Sequence, residues 1–181
     1  MRERILAAAR EHFGARGFEA VSVHALAADA GVTAAMINYY FGGKRALYEA
    51  TVEEAQARLH AALAATLAEG AEPERLAVAY FDFLASERWM QRLLLREVVD
   101  GGAARGPALV RPLRALLVAH FGGDPEALDI AISLFGAIAA YFIYAPVLGE
   151  LVGADPLSPR ALARRRRHVA DLVRRITRES P

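Results

Sequence analysis

The stretch from Ser22 to Lys44, SVHALAADAGVTAAMINYYFGGK, constrains the fold of this chain more than any other. A serine and a threonine each stand just ahead of a short run of helix formers, and Gly31-Val32 separates the two runs. Ser22 is placed to cap a helix over 23–30, and Thr33 a second helix reaching about Tyr40. The turn between them is so short that the chain must reverse at once, and Gly31 supplies the positive φ this needs. Helices joined in this way cross steeply, and Ala27, four residues before the turn glycine, keeps the crossing small. Leu26, Ala30, Val32 and Ile37 then face helix one and close a small core with Phe13 and Phe18. Tyr40 and Phe41 are expected to pack into it as well. This is the pattern of a helix-turn-helix.

What the inward set leaves over on the second helix is Ala34, Ala35, Asn38 and Tyr39. The two alanines are small enough to let the backbone enter a major groove. Asn38 can hydrogen-bond a base edge, adenine best of all. Tyr39 can reach a phosphate or a thymine methyl. Ser22 and Thr33 lie at helix N-termini, where hydroxyls and N–H groups suit phosphate. His24 beside Ser22 is placed to touch a phosphate, and Lys44 offers a point charge to the backbone. Ala-x-x-x-Gly-Val alone fits an ordinary helical hairpin equally well. The capped helix, Ala27, Gly31, Ile37, the aromatic triplet and Gly-Lys in one register are more specific.

The rest of the chain reads as helix throughout. Arg2 to Arg16 is amphipathic through Ile5, Leu6, Ala9 and Phe13, and Gly17 ends it in the left-handed conformation. After Gly42-Gly43, Lys44 opens a long helix reaching Glu69-Gly70, about 35–40 Å at 1.5 Å per residue. Further helical patterns start at Pro73, at Glu87, at Pro107, at Asp124-Pro125 and at Ser158-Pro159, the last two with an N-cap residue and proline at the first helical position. The predicted fold is all-α with about nine helices. A three-helix head at 1–43 is joined by the long helix to a helical body within 44–181.

Composition removes several functions. The chain has 181 residues and no cysteine, which excludes disulfides, thiolate catalysis and Cys-ligated zinc. Its N-terminus has no apolar segment of the secretory kind, so a cytoplasmic location is expected. A net charge of +1 gives no argument for nucleic acid. His60, His120 and His168 are far apart and have no second ligand at helical spacing, so no metal or other cofactor is expected. There is no nucleophile–base pair, no productive carboxylate pair and no phosphate loop, so no catalytic residue is assigned. Hydrophobic residues make up 55 %, high enough to suggest buried surface between subunits as well as core.

Residues 1–50 resemble the DNA-binding domain of the TetR family of transcriptional regulators. The carriers are VSVHALAADAGVTAAMINYYFGGKRALYEA and, within it, INYYFGGKRALY, which is similar to one branch of that family. RLLLREVVDGG at 92–102 also looks like the corresponding helix of that branch. The resemblance implies a homodimer, a palindromic operator, usually repression, and release by a small-molecule effector bound in the C-terminal domain. By position it carries DNA contact over to Ser22, Thr33, Ala34, Ala35, Asn38, Tyr39 and Lys44. Many members have Lys or Ser followed by Gly in place of Ala34-Ala35 and Tyr in place of Asn38, so the operator sequence does not carry over.

In the body, aromatics are frequent enough to line a ligand pocket, and Phe83, Trp89, Arg96, Phe121 and Tyr141 are its candidates. Arg96-Glu97 is either an internal salt bridge or a ligand anchor. Small residues around Gly136 and Ala140 suit a two-fold interface with the last helix, built from Phe135, Ala139, Phe142, Leu162, Val169, Val173 and Ile176. Arg165 or Arg166 would pair across it with Glu150 or Asp155. Two other readings remain open. Ile130 to Gly149 carries no charge and is long enough to span a bilayer, which allows a membrane-anchored protein. A helical small-molecule-binding protein without DNA function is the other.

Overall fold

The computed structural model describes residues 1–70, 72–99, 118 and 124–179, and all the regular structure among them is helical. The described helices are α1 (Arg2–Arg16), α2 (Val23–Ala30), α3 (Ala34–Phe41), α4 (Lys44–Ala68), α5 (Pro73–Ser86), α6 (Arg88–Val99), α7 (Pro125–Ile143), α8 (Ala145–Val152) and α9 (Pro159–Glu179). The helix expected from Pro107, with Phe121 and His120, lies outside the described residues apart from Val118.

Local chemistry sets the helix ends. The Asp124 carboxylate accepts from the Glu126 amide at 3.1 Å, with Pro125 at the first helical position of α7. Ser158 Oγ accepts from the Ala161 amide at 3.4 Å at the start of α9. Gly17 ends α1 with φ +75° but ψ 177°, so it takes an extended mirror-image conformation rather than the left-handed helical one expected.

The uncharged stretch from Ile130 does not form one rod. The chain breaks at Tyr144 and bends by 71° between α7 and α8. Pro146 stands in the first turn of α8 and has no amide proton to continue the ladder. Among the described residues no single helix is long and apolar enough to cross a membrane; only the bent pair passes by length and composition.

The described chain separates into two compact units. The first holds α1, α2, α3, α4 as far as Arg58, and α6. Its core contains Ile5, Ala9, Phe13, Leu26, Ile37, Leu47 and Leu93, each fully buried. Gly14 marks the closest approach of α1 to α6: a Cβ there would lie 3.0 Å from the Trp89 carbonyl oxygen. Beside the head expected at 1–43, this unit takes in α6, and α4 is shared between the two units.

The second unit holds the rest of α4, α5 and α7 to α9. Leu63, Leu76 and Ala131 form its centre, with Tyr80 and Phe135 edge to face at 4.6 Å beside them. Phe81 packs on Phe142 at 5.3 Å. Helix α9 lies along α5, buries Val169 and Val173, and is tied to it by the Arg166–Asp82 fork at 2.8–3.0 Å and the Arg174–Glu74 bridge at 2.8 Å.

Part of the set expected at a two-fold interface is buried inside the subunit. Phe142, Val169 and Val173 are buried within the subunit, because the apolar stripe of α9 is taken up by α5. Arg166 pairs with Asp82 inside the chain and not with Glu150 or Asp155. Phe135, Ala139, Leu162 and Ile176 are half-buried. Among the described residues of the second unit, the large apolar side chains left exposed are Ile132 and Ile143 on α7, and Tyr144, Val147, Leu151 and Val152 at and along α8.

Burial pushes the Tyr80 hydroxyl up from 10.0 to about 12. Its folded-state value is raised, so the neutral phenol contributes stability that is fully present below the unfolded value and is lost as pH rises through the folded one. Between pH ~10 and ~12, wild-type stability should therefore fall more steeply than that of Tyr80→Phe. Urea unfolding across this range checks it, and parallel profiles for the two proteins would show the phenol is not held neutral.

Candidate nucleic-acid interface

The head's reading surface is built from α2, its turn and α3. The Ser22 Oγ accepts from the Ala25 amide at 3.1 Å and starts α2. At the other end Gly31 adopts φ +61°, ψ 44°. Its amide donates to the Ala28 carbonyl at 3.1 Å and the Val32 amide to the Ala27 carbonyl at 2.9 Å. This paired closure satisfies the last carbonyls of α2 and reverses the chain within two residues. Arg4 Nη2 on α1 donates to the Gly31 carbonyl at 3.3 Å and fixes the turn from below.

Thr33 then leads into α3 with extended backbone. Its carbonyl accepts from the Met36 amide at 3.0 Å, but its hydroxyl makes no capping bond, so the expected side-chain cap is not formed. Ile37 is fully buried and anchors α3; Ala27, 4 % exposed, is the small residue under the crossing. Ala35, Asn38 and Tyr39 face outward, and Ala34 is half-buried. Tyr39 is 83 % exposed, the largest exposed ring of the head. Tyr40 departs from expectation. It stands 38 % exposed, edge-on to Tyr39 at 5.1 Å, and so belongs to the outer surface. Phe41 is half-buried with the Arg2 guanidinium 4.9 Å over its ring.

Lys44 sits at the start of α4, half-buried. Its Nζ lies 4.3 Å above the Phe18 ring and 3.4 Å from the Glu19 carbonyl it donates to. Ser22 and His24 are exposed. Phe18 in turn stacks with Phe13 and Tyr48, the latter pair edge to face at 5.0 Å. Tyr48 completes the small core on which Lys44 rests. It was not picked out from the sequence, although its spacing one turn after Lys44 places it on the same side of α4.

Residues 5–51 match the family model described as bacterial regulatory proteins, tetR family. The chain carries a TetR-family DNA-binding domain. No curated protein matches the chain. Solved structures with the same fold include the fatty acid degradation regulator FadR of Bacillus halodurans, at 17% identity over 95% of this chain and 93% of that one, TM-score 0.73. A protein of Streptomyces coelicolor described as a transcriptional regulator has 22% identity over 97% of each chain, TM-score 0.69. A TetR-like transcriptional regulator of a Rhodococcus species has 22% identity over 99% of this chain and 97% of that one, TM-score 0.60.

The TetR-type head is held by a closed ring of polar contacts that the sequence does not announce. Arg10 on α1 donates through Nε and Nη2 to both oxygens of Glu54 on α4, at 2.9 and 2.6 Å. Glu54 also meets Arg58 at 3.0 Å, and Arg58 meets Glu87 at 3.3 Å. Glu87 accepts from the Trp89 indole at 2.9 Å, and the Trp89 ring lies 5.7 Å from the Arg10 guanidinium. Burial pulls the Arg10 value down, but its hydrogen bonds to Glu54 and Glu3 and their charges outweigh this, and the net shift is upward. Pairs 29 and 44 residues apart leave no periodic signal in the sequence.

Of the five residues expected to line one pocket, four are among the described residues. Trp89 is buried in the first unit against Gly14, and Arg96 Nη2 donates there to the Ala15 carbonyl at 3.3 Å. Phe83 is buried in the second unit. Tyr141 is half-buried and lines a cavity of about 620 Å³ among α7, α8 and α9. Phe121 lies outside the described residues.

Gly31→Ala in the TetR-type head should cost about 1–2 kcal/mol, because the left-handed conformation is strained for any side chain. The added Cβ would also sit 2.3 Å from Arg4 Nη2, but that flexible end can move. Arg4→Ala in the Gly31→Ala background should therefore restore little. Denaturant unfolding of the three proteins checks this, and full rescue by Arg4→Ala would place the cost in the contact and not in the backbone.

Proposed function

We propose that the chain is a homodimeric TetR-like repressor that binds a palindromic operator and is released by a small-molecule effector bound in its helical body. The observation that carries the reading is the outer face of α3. Ile37 is buried, while Asn38 and Tyr39 point away from the head beside two alanines. A short helix that presents so little bulk can enter a major groove, and Asn38 is the group suited to read a base edge there. Ser22, His24, Thr33 and Lys44 surround this face as phosphate contacts, with Ala34, Ala35 and Tyr39 lying against the groove. The match of residues 5–51 to the TetR model supports the same assignment.

Dimerisation sets the spacing of the two heads at about 34–36 Å, one helical turn of DNA. Ile132, Ile143 and Leu151, exposed apolar side chains of α7 and α8, support that role. The effector acts by preferring the conformation in which the heads are wrongly spaced, since equal affinity for both states would shift nothing.

Selection of bound DNA from a random pool tests the function. A palindrome with half-sites a turn or more apart is expected, and failure to enrich any sequence would reject it. Asn38→Ala should relax preference at one or two base pairs, losing about 1–3 kcal/mol of discrimination there; a uniform loss across all sequences would contradict base readout. Lys44→Ala should weaken all sequences alike and lower the salt slope by about one. An unchanged slope would mean that Lys44 serves only Phe18 and the Glu19 carbonyl.

A further inference from the structure

Three arginines of α9 face different partners. Arg166 is paired with Asp82, and Arg174 with Glu74 and Asp171. Arg165, one residue from Arg166, has no acid partner among the described residues. Its guanidinium lies 5.0 Å over the Tyr141 ring, and its Nε is buried with no acceptor among the described residues. A buried charged donor without an acceptor is costly, and native proteins rarely leave one unless a ligand or ion completes it.

The surroundings show what would complete it. Arg165 lines the cavity of about 620 Å³, within the range of small-molecule sites. Arg160 and Arg164 line the same cavity, so three arginines border it. Asp155 is the one acid there among the described residues, and its Oδ1 is already occupied by the Leu157 amide at 2.8 Å. The opposite wall is aliphatic: Ala140, Val147, Leu148 and Val152. Tyr141 stands between the two regions, its hydroxyl donating to the Pro156 carbonyl at 2.5 Å. That bond fixes the ring on which Arg165 rests.

We propose that this cavity is a binding site for an organic carboxylate with an apolar tail, its carboxylate paired with Arg165 and supported by Arg164, its tail lying on the aliphatic wall of α7 and α8. The terminal nitrogens of an arginine match a carboxylate with charge-assisted hydrogen bonds. The site deepens the effector reading given above and rests on it for its regulatory meaning, though not for its chemistry.

Calorimetric titration of the full chain with sodium octanoate, 1-octanol and sodium acetate separates charge from tail. Octanoate should bind saturably at one site per subunit, with octanol and acetate each weaker by about tenfold or more. Arg165→Gln should weaken octanoate by about tenfold or more, whereas Arg167→Gln, on the same helix but outside the cavity, should leave it unchanged. Should Arg165→Gln melt early, Val152→Glu tests the same point, since it adds a like charge at an exposed position of the wall. The proposal is overturned by equal binding of octanoate and octanol, by octanoate affinity that neither variant changes, or by no saturable binding up to about 10 mM. DNA selection on the same preparation keeps the two claims apart. A selected palindrome without an octanoate site removes only the site. Octanoate held by Arg165 in a protein that selects no DNA upholds the site and removes only the regulator.

Discussion

The fork between Arg10 and Glu54 is the contact on which the first unit depends. It joins α1 to α4 across 44 residues of chain, and both partners are mostly shielded from water. A half-buried guanidinium needs its carboxylate, and Glu54 is itself shared with Arg58. From there the contacts run through Glu87 to the Trp89 indole and back beneath Arg10, so α1, α4 and α6 are fixed by one closed set of groups. Close packing of Gly14 on Trp89 allows this, because a larger residue on α1 would hold α6 away and open the ring. The helix-turn-helix is then mounted on α1 by apolar burial and by Arg4 at the Gly31 carbonyl. Its position relative to the base of α4 follows from the ring.

The head could be read from the sequence because its determinants are local. Ser22 caps α2, Gly31 reverses the chain and Ile37 is buried, and each of these is decided by residues within one or two turns. The errors are local in extent but not in cause. Tyr40 fits a core by composition, yet its place on α3 turns it to the surface beside Tyr39. Thr33 fits a cap by type, but its hydroxyl makes no bond to the helix it precedes. A residue type tells what a position can do; the φ and ψ of that position decide whether it does it.

In the body the sequence showed which face of each helix is apolar and not what that face meets. The stripe of α9 through Val169 and Val173 is as regular as a dimer seam would be, and α5 covers it inside the subunit. Periodicity carries no information about partners, since burial by the same chain and by a second copy demand the same pattern. Charges behave likewise. Four consecutive arginines spread around the helix, and the structure gives them different fates: Arg166 is forked to Asp82, while Arg165 lies on Tyr141 beside an aliphatic wall. Only the positions of residues some 80 places earlier could have separated them, and no local rule reaches that far.

The division into units falls beside the same ring along the chain. The chain passes between them within α4, at Arg58 and Leu59, and between α5 and α6, at Ser86 and Glu87. The residues on the head side of these two crossings are Arg58 and Glu87, and they are bonded to each other at 3.3 Å. One exposed ion pair therefore ties both crossings together, and the same two residues belong to the ring that holds α1. Exposed ion pairs are weak, commonly worth about 1 kcal/mol or less, so the pair can break at little cost while the half-buried Arg10–Glu54 fork holds.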